Sequence, residues 1–307
     1  MEEILPKFQL TRYAPTPSGY LHLGNVFSFV ITFAMAKKFN AKILLRIDDM
    51  DRERVRKEYI QDIFDTLDFL ELPFDLGPKD PTDFDRNFSQ VHRMELYTRA
   101  LQQLRESEYL YACDCSRKKL EALYAAGYFT CQCRSKDLDF DKPEVTWRMK
   151  TDSSTLLSLN DVCKGSSHHY FPLGLSDFVV RKKDGSPAYQ LSSIIDDRFF
   201  GVDLIVRGQD LWDSSLAQLF LAEKLGLKDF CGTSFYHHPL ILNENQQKLS
   251  KTAGSTSIQY LRKVGKTKKD ILQLIAAPFG WKGEVTHIQE FIGIVWNYLK
   301  NKKTAQG

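Results

Sequence analysis

A chain of 307 residues with 42 Lys and Arg against 39 Asp and Glu carries a formal charge of only +3. A surplus that small demands no polyanionic partner, because such binding depends on a local patch and not on the sum. The 43% hydrophobic and 26% charged fractions are those of an ordinary globular protein, and with no 18-residue apolar run and no basic-then-apolar N-terminus neither a membrane-spanning helix nor a signal peptide is expected. The expectation is a soluble, cytoplasmic protein with no membrane partner.

In chain order, the apolar pattern predicts a strand over 8–13, a Pro/Gly-rich turn, an apolar helix over 26–39 that begins near Asn25, a strand over 41–47 and a helix over 55–70. This βαβα order implies a parallel sheet with right-handed crossovers and ligands at the carboxyl ends of its strands. The first turn and Asp48 both fall there. Between 109 and 177 the alternation breaks into a cysteine cluster and short strands such as 146–150. Residues 178–181, the Asp184-Gly185 turn and 188–191 read as a hairpin returning to the sheet. A strand over 202–207 and a helix over 214–225 follow. An Asn/Gln-rich loop then leads to two or three helices, over 257–264, 267–277 and 286–299. The expected organisation is a first catalytic half over 1–108, an insertion over 109–177, a second half over 178–254 and a helical extension over 255–307.

Two short segments carry the chemistry. Arg12-Tyr13-Ala14-Pro15-Thr16-Pro17-Ser18-Gly19-Tyr20-Leu21-His22-Leu23-Gly24-Asn25 runs from a strand through a turn into a helix, where backbone N–H groups can hold phosphate. His22 and Asn25 add neutral donors there, and Gly24 lets a nucleotide approach the backbone. By itself the segment is as consistent with an ordinary strand-turn-helix corner. Lys248-Leu249-Ser250-Lys251-Thr252 places two ammonium groups in a loop able to follow charge on a transferring phosphoryl centre, although any solvated loop can carry such a sequence. Basic runs at Arg262, Lys263, Lys266, Lys268 and Lys269, and at Lys300, Lys302 and Lys303, suit either RNA or solvated helix faces.

Four of the six cysteines form Cys113-Asp114-Cys115 and Cys131-Gln132-Cys133, with 15 residues between the pairs. That spacing can bring four thiolates around one tetrahedral zinc. Zinc is preferred over two disulfides or a chance cluster of thiols. With four protein ligands the metal would be structural. Cys163 and Cys231 read as core residues.

The two segments, in this order, resemble the HIGH and KMSKS signatures of class I aminoacyl-tRNA synthetases. Arg12-Tyr13-Ala14-Pro15-Thr16-Pro17-Ser18-Gly19 and Leu45-Arg46-Ile47-Asp48-Asp49-Met50-Asp51-Arg52 are similar to the opening of glutamyl-tRNA synthetases. Ala188-Tyr189-Gln190-Leu191, Ile195-Asp196-Asp197 and Ile205-Val206-Arg207-Gly208-Gln209-Asp210-Leu211 continue the likeness, which covers nearly the whole chain. About 55 residues follow Lys251, too few for a large further RNA-reading domain. The chain therefore looks like the truncated glutamyl-Q tRNA(Asp) synthetases.

The resemblance implies an α/β Rossmann-type parallel sheet with an inserted zinc-bearing, acceptor-binding-like subdomain and a short helical C-terminus without an anticodon-binding domain. It implies activation of L-glutamate by ATP and transfer to the queuosine base of tRNA(Asp), through its anticodon stem-loop, by a monomer. The alternatives are a truncated synthetase that charges tRNA(Glu) and a synthetase-like binding protein without catalysis. Catalysis falls to His22, Lys248 and Lys251; ATP to Thr16, His22, Gly24, Asn25, Lys248, Ser250 and Lys251, with Mg2+ but no assigned protein ligand for it. Glutamate falls to Arg12, Ala14, Thr16, Asp48, Tyr189 and Arg207, with Arg12 or Arg207 on the side-chain carboxylate and Asp48 on the ammonium. Asp48 departs from the Glu usual in this group, which shortens its reach by about 1.5 Å. The group carries a Tyr in its metal motif. Aligned on Cys133 that place is Phe129, so Cys131 or Tyr128 substitutes beside Cys113, Cys115 and Cys133.

Overall fold

The computed structural model describes residues 7–241 and 257–304, with side chains as far as 301. Lys248, Ser250 and Lys251 lie outside the described residues, as do the side chains of Lys302 and Lys303. The first part of the chain contains β1 (Leu10–Tyr13), α1 (Leu23–Phe39), β2 (Lys42–Leu45), α2 (Lys57–Phe69), α3 (Pro81–Asp83) and α4 (Met94–Arg105). The middle contains β3 (Leu110–Cys113), α5 (Arg117–Ala125), β4 (Thr146–Met149), β5 (Leu156–Asp161), β6 (Gly165–Tyr170), β7 (Val179–Arg181) and α6 (Tyr189–Phe200). Then come β8 (Leu204–Gly208), α7 (Trp212–Lys224), α8 (Lys228–Cys231), β9 (Ser234–His238), α9 (Ile258–Lys263), α10 (Lys268–Ala276) and α11 (Glu290–Thr304).

These elements fall into two compact units. One holds residues 1–92, 201–209 and 235–307; the other holds 93–200 and 210–234. In the first unit β1 and β2 pair in parallel, from Leu10 opposite Lys42 to Tyr13 opposite Leu45. β8 runs in the same direction beside β1. The Gln9 and Leu10 amides donate to the Asp203 carboxylate at 2.8 and 3.0 Å, and Arg12 Nη1 donates to the Val206 carbonyl at 3.2 Å, so the contacts advance together along both chains. Helix α1 is apolar on nearly every face and is buried from Val26 through Ala36 at all but Ser28. Strands β1 and β2 and helices α10 and α11 cover it. Phe27 stacks on Phe279 at 5.0 Å, and Phe39 meets Trp296 edge-on at 6.2 Å.

In the second unit β3, β4 and β7 form an antiparallel sheet and β5 and β6 an antiparallel hairpin. Arg93 clamps Asp196 with Nε–Oδ1 2.7 Å and Nη2–Oδ2 3.1 Å, and the Tyr97 hydroxyl donates to the same carboxylate at 2.6 Å. That buried group ties α4 to α6.

Three sequence expectations are corrected here. Residues 188–191 do not form a strand: Ala188 N–H still donates to Val180 O at 2.8 Å, but the Ala188 carbonyl then accepts from Leu191 and Ser192 and opens α6. Every residue from Gln190 to Asp197 is buried although five of the eight are polar, so polarity does not mark a solvent face over that stretch and the helical period is hidden, leaving the segment after the turn to read as a returning strand. The last helix begins at Glu290 and not at 286, because the Glu290 carboxylate accepts from the Thr286 and His287 amides, each at 2.8 Å. Cys163 and Cys231 are half-buried and are not core residues.

Candidate active site and cysteine cluster

The corner after β1 is built by backbone bonds that outrun both strands. Arg46 N–H donates to Tyr13 O and Asp48 N–H to Pro15 O, each at 2.9 Å. Ala14, Pro15 and the exposed Thr16 therefore lie along residues 46–48. Arg12 and Arg207 are both buried, and the Arg207 guanidinium sits 5.2 Å over the Phe235 ring. Thus Arg12, Ala14, Thr16, Asp48 and Arg207 are gathered at or just beyond the carboxyl ends of β1, β2 and β8. Tyr189 belongs to the second unit, where it is the first residue of α6 and is 43% exposed.

Asp48 has a second occupation. Arg46 Nε reaches its Oδ1 at 2.7 Å and Arg46 Nη2 its Oδ2 at 3.0 Å, a bidentate pair with both residues buried. The next residue, Asp49, is also buried and accepts from Ser89 Oγ at 2.6 Å, Gln90 N at 2.7 Å and Arg52 Nη1 at 2.5 Å, fixing the segment at 89–90. The two adjacent carboxylates point to opposite duties, as alternation along an extended chain requires.

Helix α1 begins at Leu23, two residues before the expected start. His22 is its N-cap: Nδ1 accepts from Gly24 N at 3.0 Å, while Asn25 Oδ1 accepts from His22 N at 3.1 Å. This is a capping box built from His and Asn in place of Ser or Thr and Glu. Because Nδ1 is the acceptor, the neutral ring carries its proton on Nε2, and the Asn25 amide keeps its NH2 as a donor. Gly24 has a reason the sequence did not show: a Cβ there would lie 2.9 Å from His22 Cε1 and 3.0 Å from Nδ1. Ser257, where the described chain resumes beyond Lys248–Thr252, forms an antiparallel bridge with His22, and Ile258 N donates to Leu21 O at 2.8 Å.

Asp62 was not foreseen. It lies on α2 among Ile60, Ile63, Thr66 and Leu67, and its Oδ2 accepts from Leu21 N at 2.8 Å, holding the chain immediately before the cap. Burial, with Asp65 adding to it, raises its pKa to about 6 against the opposing pull of the Leu21 N–H and Arg262. The folded state then holds this proton more tightly than the unfolded chain, whose carboxyl titrates near pH 4. The stabilisation is complete below that value and is lost as pH rises through about 6. Asp62→Asn keeps an acceptor for Leu21 N–H, so its stability relative to the parent chain should grow by about 1–2 kcal/mol between pH 4.5 and 7.5. Denaturant midpoints of both proteins across that range test it; a difference independent of pH removes Asp62 as the titrating group.

In the second unit Cys113, Cys115, Cys131 and Cys133 are buried with all four sulfurs within 4.8 Å of one another. The closest approaches, Cys113–Cys131 at 3.6 Å and Cys115–Cys133 at 3.5 Å, are far too long for disulfides. They match the edge of about 3.8 Å expected for a tetrahedron with zinc–sulfur bonds near 2.3 Å. Tyr128, the alternative ligand, is 64% exposed, and Cys131 completes the set. A hydrogen bond from Cys113 is the chief cause holding Cys131 down to about 4, giving that bond pushes Cys113 up, and burial pushes Cys133 up to about 11. The closed, sulfur-only donor set fits a structural zinc and leaves no position for substrate. Behind it, the Tyr111 hydroxyl lies 3.7 Å from Cys131 Sγ and donates to Asp177 Oδ2 at 2.9 Å.

The basic run in the C-terminal helices is partly consumed within its own unit. Lys268 pairs with Glu71 at 2.6 Å, Lys269 pairs with Glu284, and Arg262 lies 4.8 Å over Phe69. Among the described residues no helix is long and apolar enough to cross a membrane.

Parallel strands whose carboxyl ends gather buried guanidiniums beside a histidine-capped helix define an α/β fold of the kind that binds ligands at its strand ends. Residues 10–304 match the family of class I tRNA synthetases (E and Q), catalytic domain, and the chain belongs to that family. It is similar to the glutamate–tRNA ligase of Legionella pneumophila subsp. pneumophila, 31% identical over 292 residues, covering 92% of this chain and 59% of that protein. It is also similar to glutamate–tRNA ligase 2 of Syntrophus aciditrophicus, at 29% over 297 residues, covering 92% and 60%. The chain thus spans about 60% of the length of these curated relatives. Its fold resembles the solved glutamate-tRNA synthetase of Elizabethkingia anophelis with a TM-score of 0.73 at 24% identity, covering 94% of this chain and 65% of that one.

Proposed function

We propose that this chain activates L-glutamate with ATP and magnesium and transfers the glutamyl group to the queuosine base of tRNA(Asp). The observation that carries glutamate activation is the grouping of Arg12, Asp48 and Arg207 at neighbouring strand ends, one turn of chain from the His22 cap. Glutamate brings two carboxylates and an ammonium, which two guanidiniums and a carboxylate complement; Ala14 and Thr16 stand beside them on the same unit, and a glutamate-binding role for Tyr189 rests on the sequence resemblance alone.

An oxygen of the glutamate α-carboxylate attacks the α-phosphorus of ATP, the bond to the bridging oxygen breaks and pyrophosphate leaves, giving the glutamyl-adenylate. Little acid–base chemistry is required, so positioning and charge dominate. His22 Nε2–H and the Asn25 amide supply neutral donors at the helix mouth, with Thr16 and Gly24 beside them. Lys248, Ser250 and Lys251 are assigned to the phosphates from the other side. An RNA hydroxyl then attacks the anhydride carbonyl and releases AMP. Zinc held by Cys113, Cys115, Cys131 and Cys133 would cross-link the segment within 109–177, the proposed acceptor-side module.

The cysteine pattern favours the queuosine acceptor, since it follows the metal motif of the glutamyl-Q group with Cys131 substituting for its Tyr. A second reading, charging of tRNA(Glu), is favoured by the names of the relatives. Labelled glutamate offered with ATP and magnesium to queuosine-containing tRNA(Asp), queuosine-free tRNA(Asp) and tRNA(Glu) separates them. Label on the first alone is the expected result. Label on tRNA(Glu) establishes the second reading, and no exchange or transfer by folded, zinc-loaded protein leaves a binding protein.

A further inference from the structure

Four thiolates around one divalent zinc leave two net negative charges, and a buried charge is costly unless another group answers it. All four cysteines are buried. The inference drawn from that demand rests on the zinc reading above.

Strand register places a cation at the cluster. In the antiparallel β3–β4 pair Tyr111 stands opposite Arg148. Side chains opposite one another share a face of the sheet, and Cys113, two residues beyond Tyr111, shares it too. Arg148 is 8% exposed. Its Nη1 donates to the Asp177 carbonyl at 2.6 Å, and its buried Nε has no hydrogen-bond partner.

The neighbouring charges are committed elsewhere. The Asp177 carboxylate accepts from the Tyr111 hydroxyl at 2.9 Å, Thr151 N at 3.0 Å and Thr151 Oγ1 at 3.2 Å, and its charge is met by Arg134 Nη1 at 3.3 Å. Lys142 pairs with Asp114 at 3.5 Å at the exposed rim. Arg148 touches Asp177 only through a neutral carbonyl, so its charge is not spent there.

We infer that Arg148 is the counter-charge of the four-cysteine cluster, a positioning residue outside the ligand shell that lowers the cost of gathering four thiolates and thereby sets the metal affinity. Outer partners of metal ligands commonly control affinity in this way. Arg148→Gln removes the charge and retains an amide donor for the Asp177 carbonyl; Arg148→Lys keeps the charge and loses the planar fork.

The test strips the full chain of metal, returns zinc and measures apparent zinc affinity by competition with a chromophoric chelator, alongside far-UV circular dichroism. Arg148→Gln should bind zinc at least about tenfold more weakly than the parent, while Arg148→Lys and the exposed-side control Arg134→Gln stay within about threefold. Equal affinity in Arg148→Gln overturns the inference. So does an Arg148→Lys as weak as Arg148→Gln, which would mean that the fork holding Asp177 matters and not the charge. Should Arg148→Gln fail to fold, a loss well beyond about threefold in Arg148→Lys decides against it. A parent chain that binds no zinc defeats the zinc reading itself, and this inference with it.

Discussion

Gly24→Ala should lower glutamate-dependent ATP–pyrophosphate exchange by about 10²–10³-fold while leaving thermal stability nearly unchanged. The added methyl would lie 2.9 Å from His22 Cε1 and 3.0 Å from Nδ1, so the ring must leave the cap. Backbone strain is not the cause, since Gly24 lies within α1 and outside the positive-φ positions. Alanine is favoured over glycine in a helix by up to about 1 kcal/mol, less in the first turn where Gly24 stands, and loss of the histidine cap costs about 0.5–1 kcal/mol. The two offset one another, which leaves the displaced Nε2–H donor as the principal change. Exchange kinetics and a melting curve on the same preparation check this. Near-parental exchange would show that His22 takes no part in the chemistry and serves only as a cap; a large fall in melting temperature would mean that the ring cannot move aside without opening the corner.

The corner was legible because its parts are local. Strand, Pro/Gly turn and apolar helix follow one another within 30 residues, and the βαβα order alone puts the first turn and Asp48 at strand ends, whereas the choice of Arg12 and Arg207 depends on the family resemblance. The N-cap was placed late because His22 and Asn25 are not the residues that usually announce a capping box. The Arg46–Asp48 pair follows from two-residue periodicity continued past β2, but the sequence cannot tell which of several nearby acids Arg46 will choose. Asp62 carried a signal, an acid on the inward stripe of an amphipathic helix; its target, the Leu21 amide, lies 41 residues away and required the tertiary fold. The four cysteines were legible from spacing, whereas Arg148 is brought to them by a strand register that no local pattern encodes. Helix α6 failed for the opposite reason: burial on every side erased its period.

Asp48→Ala should destabilise the first unit by about 3 kcal/mol, because it deletes both charge-assisted bonds to a guanidinium that stays buried. Arg46 is only 3% exposed. Asp48→Asn should cost less, about 1–2 kcal/mol, since its amide oxygen can still accept one of the two bonds. A carboxylate has about four lone-pair sites, so pairing with Arg46 through Oδ1 and Oδ2 leaves acceptor capacity for an ammonium. If Asp48 serves both partners, Asp48→Asn raises the KM for glutamate at least about tenfold and leaves the KM for ATP unchanged, the signature of a lost charge in the amino-acid pocket alone. Urea midpoints and exchange kinetics on the pair of variants distinguish the duties. Stability lost with an unaltered glutamate KM would assign Asp48 to Arg46 only, and the ammonium would then have to find its anion elsewhere, since the neighbouring Asp49 is already engaged by Ser89, Gln90 and Arg52.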